Sequence, residues 1–189
     1  MKYEIISAGS PTEELWQEKT VRVHSGGFSV DMTKIDAAAQ AYAKKGQPFL
    51  VDFATRKATP IKSVKVTAVA GATATEYQVA KGHTFKVGDT IGKGDKSSTI
   101  TAIDTTEAGY DTLTLAATIT AAAVGDILST FSGTSPVLPN VLNYADVRLE
   151  GQPSISGIYE AHEVKLSKLP HPLTAEMQTA LTSRFLFIP

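Results

Sequence analysis

The sequence predicts a mainly β protein: a small antiparallel barrel or sandwich module with short helices on the N-terminal side and at the C-terminus. Three observations carry this. From Phe49 onward, apolar and polar residues alternate in short runs, at Phe49-Leu50-Val51-Asp52-Phe53, Ile61 to Val69, Thr75 to Val79, Ser98 to Ile103 and Thr112 to Leu115, as in a sheet with one buried face. Glycine-containing turns separate these runs, at Gly71, Gly82, Gly88, Gly92-Lys93-Gly94-Asp95 and Gly109, a spacing found in small barrels and sandwiches. Ala and Thr together make up roughly a quarter of the 189 residues. Thr fills polar strand positions, where a β-branched side chain suits a pleated surface, and Ala gathers at 37–43 and 116–123.

Residues 1–45 read as an N-terminal arm with a short helix. Gly9-Ser10-Pro11 and Ser25-Gly26-Gly27 are turn or linker signals, and between them Pro11 to Trp16 can start a helical turn with Ser10 as N-cap and Glu13 in the third position. Trp16 and Phe28 are large apolar groups in a polar stretch. Either they pack on the chain's own core or they anchor the arm on another subunit, where buried aromatics dominate the energy. Residues 34–45 are expected to be helical. Alanine has the highest helix propensity, Asp36 and Lys44-Lys45 suit the helix dipole, and Gly46 and Pro48 supply a stop. Its apolar face (Ile35, Ala39, Tyr42) is thin, so it needs a partner surface to persist.

Residues 46–131 are expected to form the barrel-like module, with a turn over Asp52 to Thr59. Inside it lies a weak internal echo: Val87-Gly88-Asp89-Thr90-Ile91 and Val124-Gly125-Asp126-Ile127-Leu128. In each, glycine can take positive φ and aspartate can bond back to nearby backbone, so both are expected to open related strands of one β-unit. Residues 132–189 complete the fold. A linker over 129–143 precedes strand-like stretches at Ala145 to Leu149 and Ile155 to Leu166, a break at Leu169-Pro170-His171-Pro172-Leu173, and a helix from Ala175 to Arg184 capped by Thr174. Leu173, Met177, Leu181 and Phe185 recur every four residues as one apolar stripe. The tail Phe185-Leu186-Phe187-Ile188-Pro189 is apolar enough to require burial in this subunit or its neighbour.

Composition narrows the chemistry. The formal net charge is −1 and there is no cysteine, which excludes thiol catalysis, disulfide frameworks and Cys-based zinc sites and argues against phosphate-driven nucleic-acid binding. No apolar run reaches membrane-spanning length, and the opening residues carry no Sec-type signal, so the expectation is a soluble chain made in the cytoplasm, or one whose leader is not part of this sequence. The four histidines (24, 83, 162 and 171) form no HxH, HxxxH or HExxH pattern. Gly92 to Ser98 lacks the order of a phosphate loop and reads as a hairpin turn. Asp89, Asp95, Asp104, Asp111 and Asp126 read as turn aspartates, since the calcium-loop pattern is missing, and Arg56-Lys57 as a solvated turn. No catalytic residue, cofactor or metal is expected.

Several segments together resemble a known family. Gly46-Gln47-Pro48-Phe49-Leu50-Val51-Asp52 followed by Thr55-Arg56-Lys57-Ala58 resembles the opening of certain tailed-phage virion proteins. Val79 to Ile91, Ile100 to Asp104, Tyr110 to Leu115 and Ala121 to Leu128 are similar to the β-rich module of head-fiber and head-decoration proteins of phages and prophages of Bacteroides-type bacteria. The resemblance covers about residues 46–185 and rests on turn-and-strand patterns. It implies a structural protein on the outside of an assembled phage head, present in the virion and in the bacterial cytoplasm during assembly. The implied partners are the capsid protein and further copies of itself, with a trimer favoured. Trp16, Phe28, Phe185, Phe187 and Ile188 are the expected subunit or capsid contacts. The alternatives are a carbohydrate- or surface-binding module without enzymatic activity, and a small enzyme whose pocket gathers His83 or His162 with carboxylates.

Overall fold

The computed structural model describes residues 14–36 and 39–189. The protein is mainly β, its strands paired mostly antiparallel, and none of the sheets closes into a continuous barrel. The strands divide into a discontinuous frame and a contiguous insert.

The frame sheet runs in the order Arg22–Val23, Gly157–Lys165, Val141–Asn143, Pro48–Asp52, Lys57–Pro60, Phe28–Val30, Ser154–Ile155, with Phe185–Ile188 lying parallel on the outer side of Gly157–Lys165. It draws on segments from both ends of the chain. The N-terminal segment is therefore part of the fold from Leu15 onward, and its Leu15 carbonyl accepts the Lys165 N–H at 2.9 Å. The strands at Pro48–Asp52 and Lys57–Pro60, expected in the barrel module, belong to this frame.

The insert occupies the chain between Pro60 and Val141. Its strand order is Ser135–Pro136, Ile127–Ser132, Thr90–Lys93, Lys96–Asp104, Asp111–Leu115, Glu76–Val79, with Ser63–Lys65 added to Ile127–Ser132. The sheet curls so that one isolated bridge, between Val66 and Val79, links its two edges without a continuous ladder. The Thr67 N–H bonds to the Gln78 carbonyl and the Ala80 N–H to the Lys65 carbonyl, both at 2.9 Å. Enclosed by the curl is one apolar core that includes Tyr77, Phe85, Ile91, Ile100, Leu113 and Leu128. Each such side chain contributes about 1.5–3 kcal/mol on burial. Tyr77 satisfies its hydroxyl inside this core by donating to the Thr120 carbonyl at 3.1 Å.

Two further cores lie in the frame. One gathers Trp16, Ile61, Leu142, Ile158, Leu173, Met177, Leu181 and Phe185, and the other Phe28, Phe49, Val51, Val141 and Ile155. The four-residue apolar stripe of the C-terminal segment is thus buried as expected, but its helix is shorter, spanning Ala175–Ala180. Thr174 caps it, its Oγ1 accepting the Met177 N–H at 3.2 Å. The helix stops because Thr182 turns left-handed at φ 68°. Phe185 can then enter the ladder beside Ala161.

The expected helix over 34–45 is absent among the described residues. Met32–Lys34 is a single 3-10 turn capped by Asp31, and Tyr42–Ala43 pairs with Val147–Arg148. Buried amides explain the difference. Gln47 Oε1 accepts the Lys44 N–H at 3.1 Å, while Asn143 Nδ2 donates to the Ala43 and Lys44 carbonyls at 3.1 Å each. These bonds claim the backbone in extended form and outweigh alanine's modest helical preference. The start of the earlier helical turn, Pro11 to Glu13, lies outside the described residues, and Glu14 to Trp16 is not helical. The expected linker over 129–143 contains a hairpin, Ile127–Ser132 with Ser135–Pro136, and the buried frame strand Val141–Asn143.

Candidate functional site

The Val-Gly-Asp echo is a pair of equivalent turns. Gly88 and Gly125 have φ of 93° and 91°, a region open to glycine at little cost. In the first, the Gly88 N–H donates to the Ile100 carbonyl and the Ile100 N–H to the Asp89 carbonyl, both at 2.9 Å. In the second, the Gly125 N–H donates to Val66 at 2.9 Å and the Val66 N–H to Asp126 at 2.8 Å. Each aspartate side chain then closes its own turn, Asp89 accepting from the Lys86 N–H at 2.9 Å and Asp126 from the Ala123 N–H at 2.8 Å. Each also takes a lysine, Lys62 on Asp89 at 2.6 Å and Lys93 on Asp126. The two pairs differ in burial: the Lys62 side chain is 3% exposed and that of Lys93 30%. Burial lowers the proton affinity of Lys62, and the hydrogen bond and charge of Asp89 oppose that. The turns hold Val87 and Val124 out in solvent, 58% and 64% exposed.

Gly92 to Ser98 is a tight hairpin, with Lys93 opposite Lys96 and Gly94 at φ 67°. Asp104 caps a turn through the Thr106 N–H at 2.9 Å. Asp111 differs from the turn aspartates. It is buried at the start of its strand, with Lys81 on Oδ1 at 2.7 Å and His83 Nε2 3.4 Å from Oδ2. The His83 side chain is only 5% exposed. Burial pushes its pKa down, more than the neighbouring Asp111 charge restores. His83 forms one wall of a cleft of about 680 Å³ with Asp36, Phe85, Lys86 and Thr105. On its other side a smaller cavity of about 200 Å³ is shared with Ser63 and His171. His171 is buried where the insert meets the C-terminal segment, and burial pushes its pKa down to about 4. Beside it, the Ser63 Oγ donates to the Pro172 carbonyl. His162 lies on the surface, 4.0 Å from Glu160. The structure therefore joins His83 to a carboxylate and leaves His162 apart. Nothing in the sequence signals the His83–Asp111–Lys81 cluster, because strand pairing alone brings Asp111 opposite Val79, just before Lys81 and His83. Among the described residues, no three His, Asp or Glu side chains gather to hold a metal ion, and no helix is long and apolar enough to cross a membrane.

Of the five expected contact residues, Trp16, Phe28 and Phe185 are buried within their own chain, and Phe187 and Ile188 are half-buried on the C-terminal strand. Trp16 still reaches polar partners, donating from Nε1 to Glu18 at 2.9 Å with the Lys45 ammonium over its ring. The large apolar side chains that do face solvent are Val23, Tyr42, Leu50, Phe53, Val69, Val87, Val124 and Leu186. Arg56 is not a solvated turn residue. At φ 57° it lies 4.1 Å over the Phe28 ring and donates to the Ser25 and Gly27 carbonyls at 2.8 and 3.1 Å. Ser25-Gly26-Gly27 is accordingly a cradle rather than a linker, for a Cβ on Gly26 would stand 2.8 Å from the guanidinium.

Comparison of the chain with protein-family models, with curated proteins and with solved structures finds no match.

Proposed function

We propose that this chain is a virion structural protein of the capsid-decoration or head-fiber type, acting by protein–protein contact on an assembled phage head. The observation that carries the proposal is the pair of braced turns that hold Val87 and Val124 in solvent, 58% and 64% exposed. Rigidly held apolar groups of this kind can enter protein contacts at little ordering cost. The resemblance of residues 46–185 to head-fiber and head-decoration proteins supplies the context. A homo-oligomer, with a trimer favoured, and the phage capsid protein are the proposed partners. The first test is mass spectrometry of purified virions of the phage or prophage that encodes the chain. The expected result is the chain in fixed stoichiometry with the major capsid protein, and heads free of it refute the proposal. Light scattering of the purified protein tests self-association, and a monomer at high concentration refutes the trimer.

A further inference from the structure

One surface patch combines an exposed ring and two half-buried ones with two arginines that no carboxylate among the described residues pairs with. His24 stands 5.0 Å from Phe53 and 4.7 Å from Tyr159, ring centre to ring centre. Phe28 forms the floor, buried and 5.8 Å from Phe53. Arg56 covers one side of the floor, and the Arg184 guanidinium lies 5.8 Å from the Tyr159 ring centre. Phe53 is 51% exposed, and Leu186, two residues beyond Arg184 on the C-terminal strand, 54%. Among the described residues, neither arginine has a carboxylate within ion-pair distance. Asp52, next to Phe53 in the chain, accepts from the Ala54 and Thr55 backbone, and Glu160 stands 4.0 Å from His162. His24 feels both guanidinium charges, which add to burial in lowering its proton affinity.

We propose that the patch of His24, Phe53, Arg56, Tyr159 and Arg184 is a docking surface for a polypeptide that presents a carboxylate beside an apolar side chain. The proposal rests on the structural role argued above and names the face that serves it. Arginine, tyrosine and phenylalanine are among the residues enriched at protein interfaces. Arg56 is preorganised: two carbonyls hold it in a left-handed conformation that costs about 1 kcal/mol or more, so little ordering remains to be done on binding. Arg184 donates from Nε to Thr182 Oγ1 at 3.3 Å, which leaves its terminal nitrogens for a carboxylate. A glycan is the poorer fit. The rings meet at steep angles, 61° for His24 with Phe53 and 78° for Phe28 with Phe53, so the patch is a mosaic of edges and not an open stacking platform. Nucleic acid would require a larger basic surface than a chain of net charge −1 offers.

The test uses the full purified chain and heads assembled from the capsid protein encoded in the same genome. Co-sedimentation is measured for wild type, Arg184→Glu, Phe53→Ser and a control, Lys96→Glu, on the hairpin of the insert sheet. The expected result is binding by wild type, weakening of about tenfold or more in each patch variant, and no change in the control. Wild-type binding should also fall as salt rises from roughly 50 to 300 mM. Melting curves check folding, and Arg184→Gln replaces the charge reversal if that variant unfolds. Wild-type affinity in all patch variants overturns the docking surface and leaves the structural role standing. Failure of wild type to bind heads overturns both. Binding that heparin competes but a Glu- and Phe-containing peptide does not overturns the polypeptide assignment.

Discussion

Acid should destabilise this protein through His171 before its carboxylates titrate. His171 is almost wholly buried, and its pKa falls from 6.5 to about 4. The leading cause is burial. A hydrogen bond with the Ser63 backbone favours the charged ring and only partly offsets it, while the neighbouring Lys62 and His83 charges add to the lowering. Between pH 6.5 and 4 the unfolded chain therefore binds a proton that the folded chain refuses. Stability is full above pH 6.5 and falls steadily as pH drops toward 4. One pKa unit corresponds to 1.36 kcal/mol, so the loss across this window is about 3 kcal/mol. His24 and His83 are shifted in the same direction and steepen the fall. The carboxylates held low, among them Asp31 and Asp146, lose their contribution only below about pH 4.5, so the two regimes separate. The assay is urea denaturation at pH 7, 6, 5.5 and 5 on wild type and His171→Gln, with histidine ring protons followed by NMR. The variant should start less stable and show a shallower slope. An NMR titration of His171 near pH 6.5, or equal slopes in the two proteins, refutes the reasoning.

The paired turns give an internal comparison. Asp89→Ala strands a lysine that is nearly fully buried and should cost about 3 kcal/mol or more, whereas Asp126→Ala, at the more exposed pair, should cost about 1 kcal/mol; urea midpoints of the two variants measure the asymmetry. A Cβ at Gly92 would stand 2.3 Å from the Lys96 carbonyl and 3.0 Å from the Phe131 ring, while one at Gly71 meets nothing within 4 Å. Gly92→Ala should therefore lower the melting temperature by several degrees and Gly71→Ala by almost none, as scanning calorimetry will show. Trp16→Ala should cost about 3–5 kcal/mol because Trp16 sits in the core with Met177 and Leu181; a loss under 1 kcal/mol by chemical denaturation would mean that the N-terminal segment is loosely attached. Val87→Ser and Val124→Ser remove exposed side chains and should change stability by less than about 0.5 kcal/mol, while weakening head binding if these turns make contact.

The insert strands Glu76–Val79 and Asp111–Leu115 were legible because their period-two pattern matches their buried face. Asp111–Leu115 alternates without a break: Asp111, Leu113 and Leu115 are buried, while Thr112 and Thr114 are half-exposed. Frame strands at Phe49 to Asp52 and within Ile155 to Leu166 could be read locally, but their assembly into one sheet could not, for a physical reason. Its strands pair across long separations, as when Val141 meets Phe49 and Arg22 meets Glu160, and no local window contains that information. Polar residues also disguised buried structure. Asn143 is fully buried in a strand that reads as linker, and it is its amide, together with that of Gln47, that turns an alanine-rich stretch away from helix. Arg56 was hidden likewise: a basic residue in a turn looks solvated until the fold places Phe28 beneath it. The His83–Asp111 pair depends on cross-strand register and had no local signature at all.

The one weak motif that survived folding says most about how the surface can work. Each Val-Gly-Asp turn is fixed by two backbone bonds to a neighbouring strand, by its own aspartate and by a lysine. A loose loop carrying an exposed valine would lose conformational freedom on binding, at about 1–2 kcal/mol for each residue fixed. These turns have already given up that freedom during folding. The same holds for Arg56, pinned by carbonyls on both sides of Gly26. Rigid presentation of small apolar and cationic groups on a neutral β-scaffold favours many modest contacts made at little entropic cost. Such contacts gain most when copies of the chain bind side by side on a repeating surface, because each attached copy raises the effective concentration of the next site.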